Sequence, residues 1–182
     1  MLPVRGALVE ITGAPSSGRT SLLVAWLGAL TREGAATALV DTDETFDPAE
    51  AARAGVDLRR LLWVRCGGRR AAALRAADLL VRCPGFALVA LDLGERPPVL
   101  PLAAAFRLRL AARRTGTTLV LLARRRVAGA GACLAVRTVR RAVEWSGPAT
   151  GPRRLVGLRT AVQVVRARGG LPAQGGVYRW AA

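Results

Sequence analysis

The sequence predicts an α/β chain: a central, mostly parallel sheet flanked by helices, with antiparallel strands at its C-terminal side. Three observations carry this. Short apolar runs alternate with stretches of helical spacing from residue 7 to residue 123. A phosphate-binding loop pattern, GAPSSGRT over Gly13 to Thr20, stands between the first run and the first helix. After residue 124 the helical spacing stops, and apolar runs are joined by the turn signals SGPATGP and GGLPAQGG.

The elements follow in order. ALVEIT (7–12) reads as a buried strand ending at Gly13. SLLVAWLGALTRE has helical apolar spacing and stops at Gly34. ATALVDTD (36–43) is a second buried strand with acids at its end. DPAEAARAG (47–55) opens with a capping Asp and a Pro at the first helical position. LLWVRC is a third strand, and 69–81 an Ala-rich helix. FALVALDL (86–93) is apolar on both faces, as a central parallel strand is. Residues 99–114 form an amphipathic helix with arginines outside, and TTLVLLA (117–123) is the fifth strand. Strands are then expected around 138–146, 158–168 and 177–180, as an antiparallel extension of the same sheet.

The bulk numbers suit one packed domain. The chain has 182 residues, 52% hydrophobic and 22% charged, which excludes global disorder. Its 28 basic residues are all arginine and face 12 acids, a net charge of +16. The absence of Lys points to a GC-rich coding bias, and the charge favours polyanions or an acidic partner. Cys66, Cys83 and Cys133 are sparse and there is no His, so no zinc or haem spacing exists. The cysteines are expected as small buried residues in a reducing compartment. The start of the chain does not read as a signal peptide and no run is long enough to span a membrane, so the expected location is the cytoplasm.

The loop needs only glycines and backbone N–H groups to cradle phosphate at a helix N-terminus. Its usual lysine is Arg19, which is forked and cannot simply replace a compact ammonium between two phosphates. Coding drift and a relaxed role both account for Arg19. Thr20 could hold Mg²⁺, and Asp92, ending a hydrophobic strand, fits the acid that holds Mg²⁺ through water. Asp43 and Glu44 are the candidates to aim an attacking water, or else a helix-capping cluster.

Together these residues resemble the RecA family of recombinases. GAPSSGRT is similar to that family's loop G-P-E-S-S-G-K-T, and VDTDETFDPAEAARAGVDLRRLLWV to its run after the second strand, with Asp47-Pro48 and Gly55 to Asp57. FALVALDL resembles its Walker B strand. VQVVRARGG is similar to a late strand whose two basic residues act across the filament interface; Arg166 and Arg168 fall there. The resemblance implies a single RecA-like core domain over 1–182, without the family's N-terminal clasp and C-terminal domain. It implies nucleotide contacts at Gly13, Ser16, Ser17, Gly18, Arg19, Thr20 and Asp92, with Mg²⁺ on Thr20 and Asp92. ATP and Mg²⁺ are thus the candidate cofactors, and the departures count against them. The catalytic Glu falls on Asp43, beside Glu44. The γ-phosphate-sensing glutamine falls on Arg125. Both DNA-contacting loops are short.

Four changed positions suggest relaxed catalysis. The pattern resembles ImuA, the truncated RecA-like proteins encoded with an inactive Y-family polymerase relative, ImuB, in mutagenesis cassettes. The leading expectation is a non-catalytic accessory protein of translesion synthesis that binds such a polymerase-type partner, RecA, or DNA. The alternatives are a DNA-dependent ATPase with an arginine loop, and a basic DNA-binding module. For the last, Arg124, Arg125 and Arg126 are candidates, with Arg137, Arg140, Arg141, Arg153 and Arg154. Trp145 and Trp180 are expected in core or edge packing. LVGLRTAVQVV is a long apolar strand needing cover at a sheet edge, from a partner or from the chain's own last strand.

Overall fold

The computed structural model describes residues 4–148, 150–169 and 174–181. One eight-stranded sheet runs through the molecule. Its strands are β1 (Leu8–Gly13), β2 (Ala36–Asp41), β3 (Leu61–Arg65), β4 (Phe86–Asp92), β5 (Thr118–Ala123), β6 (Leu134–Ser146), β7 (Arg154–Ala167) and β8 (Gly176–Ala181). The spatial order is β3-β2-β4-β5-β1-β6-β7-β8. The helices are α1 (Arg19–Arg32), α2 (Pro48–Arg53), α3 (Arg70–Arg82) and α4 (Leu102–Thr115).

Alternation of side chains sorts the core into two layers. Leu8, Val40, Val89, Leu91, Leu119 and Leu121 meet α3 and α4 on one face. Val9, Ile11, Leu39, Leu88, Val120 and Leu122 meet Leu23, Trp26 and Leu27 of α1 on the other. β1 and β5 are buried at every position, as strands covered on both faces must be. The expected cap at α2 is present: the Asp47 carboxylate accepts from the N–H groups of Ala49 (2.8 Å) and Glu50 (3.0 Å).

The C-terminal strands differ from expectation in one respect. β6 starts at Leu134 and pairs first in parallel with β1, from Val9↔Leu134 to Gly13↔Thr138. It is antiparallel only to β7. The cause is the 124–133 segment, which carries the chain from the tip of β5 back to the base of the sheet. There Gly131 packs so close to Ala105 of α4 that a Cβ would lie 2.7 Å from the alanine's own. β8 pairs with β7 from Gly157↔Ala181 to Val162↔Gly176, so the middle of β7 is not an edge. Over that stretch the chain's own last strand provides the cover, while Leu155 and Val165 on either side stay exposed.

Half of the expected turn over 169–176, residues 170–173, lies outside the described residues, as does Ala149 in the other turn. Cys66 is buried, but Cys83 is exposed in the turn before β4 and Cys133 is half-buried. Trp145 is exposed near the end of β6, whereas Trp180 packs against the α1-side core. Among the described residues, no helix is long and apolar enough to cross a membrane.

Candidate functional site: a phosphate-type loop closed by its own arginine

The loop from β1 to α1 takes its shape from two left-handed residues, Ser16 (φ 55°) and Gly18 (φ 86°). Gly18 is required by space as well: a Cβ there would lie 2.2 Å from Thr160 Oγ1. Helix α1 opens without a side-chain cap, leaving its first N–H groups to the loop.

The late strands hold this loop. Ser17 Oγ and Thr138 Oγ1 are 2.6 Å apart, and Thr138 Oγ1 also donates to the Thr12 carbonyl at 3.2 Å. Thr160 Oγ1 donates to the Ser17 carbonyl (3.0 Å) and accepts from Trp180 Nε1 (2.9 Å). A chain of hydrogen bonds therefore runs from β8 through β7 to the loop backbone.

Arg19 does not extend into solvent. It is 9% exposed, and its guanidinium donates to the Gly13 carbonyl at 2.8 Å and pairs with Glu95, just after β4. Beside it is a cavity of about 330 Å³ lined by Ser16, Thr20, Asp43, Asp92 and Glu95, among others. Asp92 is half-buried, and desolvation pushes its pKa up to about 6, against the pull of the Gly94 N–H that its Oδ1 accepts at 2.8 Å. Asp43 packs against Gly94 and lies 3.5 Å from Arg70 Nη2.

Glu44, the alternative to Asp43, is held away from this cavity. Its carboxylate accepts from the Gly67 N–H at 3.0 Å and pairs with Arg65. Asp41 is structural: it accepts from the N–H groups of Thr45 (3.2 Å) and Phe46 (2.9 Å) and from Trp63 Nε1 (3.3 Å).

Gly13, Ser16, Ser17, Gly18, Arg19, Thr20, Asp43 and Asp92 thus converge at one end of the sheet. The arginine candidates do not join them. Arg126 is not a free surface charge. It donates to the buried carboxylate of Glu10 (3.0 Å) and to the Gly129 carbonyl (2.6 Å). Glu10 also accepts from the Val127 (2.6 Å) and Ala128 (2.8 Å) N–H groups, fixing the crossover. Arg125 Nη2 is 3.5 Å from the Pro97 carbonyl, and Arg124 is exposed. Arg166 pairs across from Ala135 at the opposite end of the sheet from the loop, with Arg168 beyond it.

As arranged, the cavity offers a triphosphate no free cationic side chain among the described residues. Arg19 is its only cationic lining residue among those described, and that charge is already met by Glu95. Asp43, Asp92 and Glu95 line it too, so a polyphosphate without a metal meets carboxylates and an occupied guanidinium, whereas Mg²⁺ would find oxygen ligands there.

Glu95, Thr138, Thr160, Trp180 and Glu10 were not among the candidates read from sequence. Only proximity in the fold reveals them, since their partners lie 20 to 143 residues away.

Residues 2–95 match the model for the RecA N-terminal domain, just over half of the chain. Over 88 residues, 48% of this chain, it is 35% identical to Protein RecA of Tropheryma whipplei, covering 20% of that protein. It is 39% identical over the same length to Protein RecA of Clavibacter michiganensis subsp. michiganensis and of Methylococcus capsulatus, covering 24% and 25% of them. The aligned part thus spans a fifth to a quarter of these relatives. With the loop, the strand after it and the Asp92 strand all inside the matched residues, the chain belongs to the RecA N-terminal domain family.

Proposed function

We propose that this chain is a non-catalytic RecA-like accessory protein of DNA damage tolerance, akin to ImuA. It supports error-prone translesion synthesis by binding a polymerase-type partner such as an ImuB-like protein, RecA, or both, with DNA contacted alongside. Family membership supports a role in DNA recombination or repair. The single observation behind the non-catalytic part is Arg19. Its guanidinium is spent on Gly13 and Glu95 inside the loop that would otherwise receive phosphates.

Calorimetry with ATP and Mg²⁺ tests this on the wild type and on Arg19→Lys. The expected result is no heat for the wild type and measurable heat for the variant, whose flexible ammonium releases the Gly13 carbonyl. Micromolar binding by the wild type would contradict the reading.

A second reading, a DNA-dependent ATPase, draws on the fact that Thr20, Asp43 and Asp92 line one cavity beside the loop. Turnover separates the two.

A further inference from the structure

The net charge is not spread over the molecule. Residues 1–95 hold eleven arginines and eleven acids; residues 96–182 hold seventeen arginines and one acid, Glu144. The half that matches the RecA model is neutral, and the rest carries the entire +16.

Within the basic half, α4 presents an unusual outer face. It buries Ala105, Leu108, Ala111 and Ala112. On the opposite side Leu102 (54% exposed), Phe106 (41%) and Leu110 (47%) recur every four residues and form one apolar row. Arg109 and Arg113, three residues beyond Phe106 and Leu110, flank the row on one side, and Arg107 flanks it on the other. Arg109 lies 6.0 Å from the Phe106 ring centroid. None of these arginines is in an ion pair among the described residues.

The Arg109 side leads to a second unmet demand. Arg166 has Nε and Nη2 shielded from solvent with no hydrogen-bond partner among the described residues. Burial first, then the charges of Arg168, Arg126 and Arg109, lower its pKa against the pull of the Glu10 carboxylate, so the cations around it outnumber the one acid.

We propose that the outer face of α4 docks an acidic amphipathic helix of a partner protein. The helix's apolar side covers Leu102, Phe106 and Leu110, and its carboxylates meet Arg109 and Arg113, with Arg166 adding to the positive field nearby. Charge and shape select this occupant. A second copy of the chain would bring arginine against arginine. A nucleic acid would meet the cations but leave three large apolar side chains against a polar backbone. A bilayer surface calls for a wider apolar face than a single row. The inference rests on the interaction-protein reading, and it adds the surface and the chemistry of the partner.

Fluorescence anisotropy tests it with a labelled synthetic peptide of about 18 residues, roughly five helical turns. Leucines occupy one face and glutamates both flanks; a scrambled isomer keeps composition and charge. The ordered peptide is expected to bind at least about tenfold more tightly than the scrambled one. Phe106→Ser with Leu110→Ser should erase that difference. Leu79→Ser, at an exposed leucine of α3, should keep it. Circular dichroism shows that each variant is folded. Equal binding of the two peptides overturns the proposal. So does a Phe106→Ser, Leu110→Ser variant that still prefers the ordered one, or that loses duplex DNA or anionic vesicles instead. ATP turnover measured on the same wild-type sample reports separately on the non-catalytic reading.

Discussion

Two residues, Arg19 and Asp92, set the character of the loop. A guanidinium presents a planar fork where an ammonium presents a point charge, and Arg19 uses it on a backbone carbonyl and on Glu95 at once. That use could not be read from GAPSSGRT, since Glu95 is 76 residues away. The sequence does mark Arg19 as the odd position, and Asp92 as the acid at a strand tip. What it does not supply is the desolvation of the half-buried Asp92, which raises the pKa from 3.8 to about 6. An acid raised in the fold binds more protons there than in the unfolded chain between about pH 4 and 6. Stability therefore falls as pH rises through that window, and the cost is fully present above it. By the size of the shift it is on the order of 2 to 3 kcal/mol. Asp92→Asn should then be more stable than wild type by about that amount at pH 7.5 and no different at pH 3.5, measured by urea unfolding. A less stable variant at pH 7.5 would mean the carboxylate is needed.

Among elements, the order of strands and helices was legible from apolar runs and caps, because parallel strands buried on both faces leave strong local signatures. The course of β6 was not. Its parallel start depends on Glu10 holding the crossover backbone, a contact spanning 117 residues. The link from β8 to the loop was equally hidden, since Thr160 and Trp180 show no motif. Trp180→Phe keeps the ring's bulk and removes the N–H that donates to Thr160. One neutral hydrogen bond contributes about 1 kcal/mol, so amide exchange at Ser17 and Gly18 should quicken about fivefold. Faster exchange confined to β8 would show that the strand does not hold the loop.

The whole molecule joins a neutral, family-matched half to a basic one through a continuous sheet. Both halves contribute to the site: β1, α1 and the strand tips form the loop and its acids, and β6, β7 and β8 brace it from behind. The charge concentrated beyond residue 95 suits contact with acidic molecules, and the occupied loop suits a body that is bound without turning over nucleotide. The most direct check is phosphate release from ATP with Mg²⁺, with and without single-stranded DNA. The account predicts no release above buffer background in either condition. Sustained release that DNA stimulates and Asp92→Asn abolishes would contradict it.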